Sequence, residues 1–208
     1  VIGTGPYAAD ISVGIAVGRL VAAHPRLKVR VVKNSPEQIY HGLTNRELDV
    51  GVFDVGASAQ DEALHCEPLP EHALGLFCRP GHPLTLETEL SVAKILAYPL
   101  VTTLLRGDKA TLAMAVGISG GHAVTAGVGR YTGDYEPAIH VNALSMACEI
   151  ASHSDAVYPG PVVVEATRPK ASQLVRLDFE IPAMHTGYSL VYLKGRSPSP
   201  AASAFISV

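Results

Sequence analysis

The residues best suited to chemistry lie where the hydrophobic pattern breaks. Gly3-x-Gly5-x-x-Ala8 follows a short apolar run and opens a helical one, and this spacing resembles a dinucleotide-binding turn. A nucleotide would also need an acidic residue at the end of the second strand to hold its ribose, and Lys33-Asn34 stand there instead. Pro6 removes one backbone N–H from the turn. A tight strand-to-helix turn that shows its N–H groups to a smaller anion is the better reading. His65-Cys66, His72, Cys78 and His82 crowd one stretch, but none has the two-residue spacing of a zinc knuckle, and the strand they cross would scatter them. No metal site is expected. No G-x-S-x-G, H-E-x-x-H or G-x-x-x-x-G-K-[ST] occurs. Cys78 and Cys148 sit in apolar patterns where a thiol is inert. The residues therefore point to neither an enzyme nor a cofactor.

What remains is a set of polar residues at strand carboxyl ends. Thr4 follows the first strand, Asn34-Ser35 the second and Asp54 the third. Thr102-Thr103 and Arg106 follow a later strand, and His140–Asn142 and Gly160-Pro161 end two more. Hydroxyls, helix N–H groups and a guanidinium suit a small anion such as a carboxylate. Each also has a plainer reading. Ser35 is a helix N-cap, Asp54 a turn former, and Arg106 a solvated loop charge.

These residues are set by alternating elements. Val1-Ile2 ends a buried strand, and Gly5-Pro6 opens a helix with Pro in its first turn. Leu27 to Val32 alternates apolar and basic residues, as a strand does. Ser35-Pro36-Glu37-Gln38 has capping-box spacing and starts a helix to about Asn45. Asp49 to Phe53 is a buried strand. This alternation predicts a parallel sheet covered by helices. Further strands are expected at Ala73–Arg79, Leu100–Thr103, Ala138–Asn142, Asp155–Tyr158, Leu174–Leu177 and Tyr188–Lys194. The strand at Asp155 is expected to stop at Pro159-Gly160-Pro161. Helices are expected near Val92–Ala97, 108–116, Leu144–Ser152 and from Pro200. Two α/β units of this size form two lobes, with a ligand expected at strand carboxyl ends between them.

Composition narrows the classes. The 208 residues are 48% hydrophobic and 17% charged, which excludes a disordered or coiled-coil chain. A net charge of −3 argues against direct nucleic-acid binding by this segment. Aromatics are 6%, with no Trp, too few for a base-stacking platform. Three scattered cysteines form no disulfide framework and fit a reducing, cytoplasmic compartment. Ala110 to Gly129 holds no charged residue but is Gly- and Ala-rich, so no membrane span is expected. Arg19, Arg26, Lys28, Arg30, Lys33 and Arg46 face only Asp10 and Glu37 early on, and Glu47–Glu89 is acidic except for Arg79. Solvated faces account for this pattern, and a contact between subunits is the sharper reading.

Taken in order, these motifs form a pattern. VIGTG, then His24-Pro25 with an alternating strand and helix, then Leu48-Asp49-Val50-Gly51, are followed by Glu67-Pro68-Leu69 and Arg79-Pro80-Gly81-His82-Pro83-Leu84. Tyr98-Pro99, the stretch His140–Pro161 and a closing segment Ser199–Phe205 complete it. The chain resembles the effector-binding domain of LysR-type transcriptional regulators over nearly its whole length. The resemblance implies an α/β, two-lobed, type 2 periplasmic-binding-protein-like fold with a mixed sheet in each lobe and two crossover strands. Subdomain I would be 1–72 plus 195–208, and subdomain II 73–194. Thr4, Gly5, Pro6, Tyr7, Ser35, Phe53, Asp54, Thr102, Thr103, Val141 and Asn142 would line the effector cleft, joined by Arg106. The resemblance also implies homodimers or tetramers, and DNA binding only through an N-terminal winged helix-turn-helix outside this chain. An exported solute-binding protein of the same fold is the rival reading.

Overall fold

The structure is a computed structural model. It describes residues 1–55, 61–103, 127–128, 135–166, 173–179, 185–195 and 197–208. The chain divides into two units, Val1–Glu71 with Gly187–Val208, and His72–Thr186. It passes between them twice, at Glu71-His72 and Thr186-Gly187.

In chain order, the first unit opens with β1 (Ile2–Thr4) and helix α1 (Pro6–Ala23), whose stretch Ala9–Val13 is π-helical. β2 (Val31–Lys33), α2 (Pro36–Thr44), β3 (Val50–Phe53) and β4 (Leu64–Pro68) follow. The second unit holds β5 (His72–Cys78), a 3₁₀ turn (Pro83–Leu86), α3 (Val92–Leu96), β6 (Val101–Thr102), β7 (Gly127–Val128), β8 (Tyr135–Glu136) and β9 (Ile139–His140). It continues through α4 (Leu144–Ser152), β10 (Tyr158–Pro161), α5 (Val162–Ala166), β11 (Val175–Arg176) and β12 (His185–Thr186). The chain then returns to the first unit as β13 (Ser189–Leu193) and α6 (Pro200–Ile206).

The first unit is a five-stranded sheet in the order β2-β1-β3-β13-β4. β1 runs parallel to β2 and β3, while β13 is antiparallel to β3 and β4. Side chains alternate across it, as the pleat requires. Val50, Val52 and Leu190 join Ile2, Val13, Leu20 and Phe205 on one side. Phe53 and Val191 join Ile39, Leu43, Leu48 and Leu64 on the other. Gly3 and Gly51 are register partners, and their missing side chains let α2 lie close. A Cβ on Gly3 would stand 2.6 Å from Leu48 Cδ1, and one on Gly51 2.9 Å from Ile39 Cγ2. Helix α1 is long and apolar enough, by composition alone, to cross a membrane, yet Val13 and Leu20 are packed into this core.

In the second unit β5 is the hub. β10, β11 and β12 all pair with it antiparallel. A parallel bridge, Leu100 to Val157, leads from β10 toward β6, which runs parallel to β9. Both units therefore contain strands of mixed orientation.

Several expectations from sequence shift. Residues 187–194 were expected in the second subdomain. They form β13 instead, locked between β3 and β4 of the first unit by two antiparallel ladders. The strand expected at Leu27–Val32 is only Val31–Lys33, because Leu27 N–H closes a turn on the His24 carbonyl. Pro159-Gly160-Pro161 do not stop a strand; they form most of β10. Only Val157 reaches β6 from that edge, and an edge position tolerates the N–H that proline lacks. β4, β12 and α5 lay outside the sequence reading. The helix expected at 108–116 and the uncharged stretch 110–129 lie outside the described residues, apart from the strand residues 127–128.

Candidate functional site

In the first unit the parallel register aligns three strand ends. Thr4 pairs with Lys33 on one side and Val52 on the other. Asn34 N–H donates to the Thr4 carbonyl at 3.1 Å, and Gly5 N–H donates to the Val52 carbonyl at 3.0 Å. Thr4, Gly5, Pro6, Tyr7, Ser35, Phe53 and Asp54 are thereby gathered along one edge. Their side chains are largely committed to the fold. Thr4 is 1% exposed, and its hydroxyl donates to the Gly5 carbonyl at 3.1 Å. Ser35 forms a full capping box, its Oγ accepting from Gln38 N–H at 3.3 Å while Gln38 Oε1 accepts from Ser35 N–H at 3.0 Å. The Phe53 ring is a core residue packed with Ile39 and Leu43. Pro6 is the first residue of α1 and Tyr7 is buried. Asp54 is exposed.

Gly5 caps α1 from an extended conformation and supplies no side-chain cap. It is not forced to be glycine: its φ is −73°, and a Cβ there would meet Phe53 Cβ at an ordinary 3.7 Å. Gly3, by contrast, is held to glycine by its close approach to Leu48 and Ile39.

In the second unit, Thr102 and His140 are register partners, and Val141 N–H donates to the Thr102 carbonyl at 3.0 Å. This parallel pair sets Thr102-Thr103 beside Val141-Asn142. Thr103 is 2% exposed, and its Oγ1 has no hydrogen-bond partner among the described residues. Three residues beyond Val141, α4 begins. Its N-cap is Ala143, with no side-chain cap. An uncapped first turn leaves backbone donors unmet, and the helix dipole makes that end favourable for negative charge. The sequence carried this signal, since Ala is a poor N-cap where Ser, Thr, Asp or Asn is usual. Arg106 lies outside the described residues.

The RPGHPL segment has a different role. Gly81 takes a left-handed φ of 72°, which glycine adopts without steric cost. This turn presents the fully buried His82. Its Nδ1 accepts from Leu84 N–H at 3.0 Å, leaving Nε2 to donate to the Asp155 carbonyl at 3.2 Å. Arg79 completes the clamp on the Asp155 carboxylate at 2.7 Å. Burial pushes the Cys78 thiol up to about 11, so it is a poor nucleophile at neutral pH. No group of three or more His, Cys, Asp or Glu among the described residues could hold a metal ion.

The fold is that of LysR effector-binding domains, of the type 2 periplasmic-binding-protein kind. The chain belongs to the LysR substrate binding domain family, whose pattern it matches over residues 1–208. It is 30% identical over 208 residues to an SDS degradation transcriptional activation protein from Pseudomonas sp. (strain ATCC 19151), covering 98% of this chain and 63% of that protein. The chain thus spans less than two thirds of that relative's length. A putative transcriptional regulator from Vibrio parahaemolyticus superposes with a TM-score of 0.77 at 18% identity, covering 99% of this chain and 90% of that one. The effector-binding domain of QuiR, solved with shikimate, superposes with a TM-score of 0.67 at 15% identity, covering 99% and 92%.

Proposed function

We propose that this chain is the sensing part of a cytoplasmic LysR-type transcription regulator. It binds a carboxylate or other small anion and passes the signal to a DNA-binding domain outside the 208 residues. The observation that carries the anion is the buried Thr103 hydroxyl, which has no hydrogen-bond partner among the described residues, in the same unit as the start of α4, which has no side-chain cap. A buried polar group without a partner costs about 1–3 kcal/mol, and a ligand oxygen would recover that cost. QuiR's domain takes shikimate, itself a carboxylate, which supports the reading by analogy of fold.

Signalling follows from linkage. An effector shifts the regulator only by binding one arrangement of units or subunits more tightly than another. Self-association as a homodimer or tetramer belongs to the same reading, supported by the family match. Three free thiols fit a reducing compartment. The family match does not favour the exported solute-binding protein, and a family of regulators supports a sensing role over a catalytic one.

Calorimetric titration with hydroxy-carboxylates, alkyl sulfates and inorganic sulfate tests the site. Thr103→Val is expected to weaken the best binder about tenfold, the loss of one charge-assisted hydrogen bond. Equal affinity in wild type and variant would remove Thr103 from the site.

A further inference from the structure

Both ring nitrogens of His82 are in use. Nδ1 lies 3.0 Å from Leu84 N, and Nε2 lies 3.2 Å from the Asp155 carbonyl oxygen. A carbonyl only accepts, so Nε2 carries the ring proton, and Nδ1 keeps the lone pair that takes the Leu84 N–H. A second proton has only Nδ1 to go to. There it would point at the Leu84 N–H, and a hydrogen bond would become two donors face to face.

The surroundings give a charged ring little compensation. His82 is fully buried, away from the water that would solvate the charge. The charged residues bonded to it are Arg79, whose carbonyl accepts His82 N–H at 3.2 Å, and Asp155. Their side chains neutralise each other, the Arg79 guanidinium holding the Asp155 carboxylate at 2.7 and 2.9 Å. The Tyr98 ring meets the imidazole in a T-shaped contact, with centroids 4.5 Å apart. The turn itself hangs on this residue, because Thr85 bonds the His82 carbonyl through both its N–H and its hydroxyl.

Asp155 leads directly to the strand that carries the candidate threonines. Two residues on, Val157 N–H donates to the Pro99 carbonyl at 2.8 Å, and the Val157 carbonyl accepts from Val101 N–H at 3.0 Å. Val101 is the first residue of β6, which runs into Thr103.

We propose that His82 is an acid-sensitive latch of the second unit. A proton taken from solvent onto Nδ1 breaks the bond from Leu84, frees the Pro83–Leu86 turn and Asp155, and loosens the seam between Val157 and β6. Any effect on anion affinity rests on the reading given above; the latch itself does not.

The test is amide hydrogen exchange on the intact protein, with each rate divided by the intrinsic rate at the same pH. Measurements at about pH 7.5 and about pH 5.5 bracket the free-histidine value of about 6.5. Protection of the Leu84 amide is expected to fall at least about tenfold in acid, the loss of one hydrogen bond, and that of Val101 and Val157 to fall with it. Lys94 N–H is the internal control. It too bonds a side-chain cap, Ser91 Oγ at 3.3 Å, but a serine does not titrate, so its protection is expected to hold. His82→Asn keeps a side-chain acceptor for Leu84 N–H and removes the titrating ring. In that variant the fall at Leu84 is expected to shrink below about twofold. Unchanged Leu84 protection in the wild type overturns the latch, and so does an equal fall at Leu84 and Lys94. An equal fall in wild type and variant overturns it as well. Should His82→Asn not fold, the comparison of Leu84 with Lys94 in the wild type decides alone.

Discussion

The two units solve the same local problem in opposite ways. Each brings polar residues to the carboxyl ends of parallel strands, next to a helix start. In the first unit Thr4 bonds its neighbour's carbonyl, and Ser35 shares a reciprocal cap with Gln38. The second leaves Thr103 Oγ1 without a partner among the described residues and starts α4 behind an alanine. A fold selected only for stability would not keep such a buried group open, because desolvation without a bond is costly. On the proposed reading, the second unit is the one that recognises the charge.

The largest test breaks the frame of the second unit itself. His82→Ala removes the ring that joins the Pro83–Leu86 turn to Asp155 and opens a cavity. It is expected to cost about 4 kcal/mol in urea unfolding. By contrast, Ser35→Ala, which breaks the first unit's cap, is expected to cost about 1 kcal/mol. If the two losses are similar, the clamp is not what holds the second unit.

A sharper comparison exchanges hydroxyl for methyl in each unit. Thr4→Val loses a made hydrogen bond and is expected to destabilise by about 1 kcal/mol. Thr103→Val loses none and is expected to stabilise by about 1 kcal/mol while weakening anion binding. Thermal melts with and without ligand read both effects. The same sign for both variants would defeat the contrast.

Supplying the missing cap comes next. Ala143→Asp offers α4 the acceptor it lacks, with expected stabilisation of about 0.5–1 kcal/mol. Its carboxylate also competes with a bound anion, so affinity is expected to fall as stability rises. Ala143→Asn supplies a cap without charge and separates the two effects.

The smallest effect concerns Cys78. Its pKa is raised by burial from the usual 9.0 to about 11. A raised folded value means its contribution is fully present below about pH 9. That contribution is lost as pH rises from about 9 through about 11. Cys78→Ala is expected to flatten this part of the stability profile. Thiol labelling at neutral pH is expected to reach the half-buried Cys66 well before Cys78.

Much of the fold was legible beforehand. The Ser35 cap, α2, β3, α4 and the closing helix stand near their expected places, because period and capping chemistry are local. The misses have physical causes. β13 reads as an ordinary apolar strand, and nothing local says which sheet it joins; that depends on β3 and β4, far away in sequence. Pro159 and Pro161 look like a stop, and only an edge position makes them a strand. The pleat of β3 turns the Phe53 ring into the core, which its place at a strand end did not reveal.

The sequence by itself determined the alternation of elements, the helix starts and the family, because these rest on residue type and spacing. Only the tertiary structure decided which polar groups are already satisfied. The hydroxyls of Thr4 and Thr103 are chemically identical. One meets the Gly5 carbonyl and the other meets nothing among the described residues, and that difference arises from how distant strands pack around them.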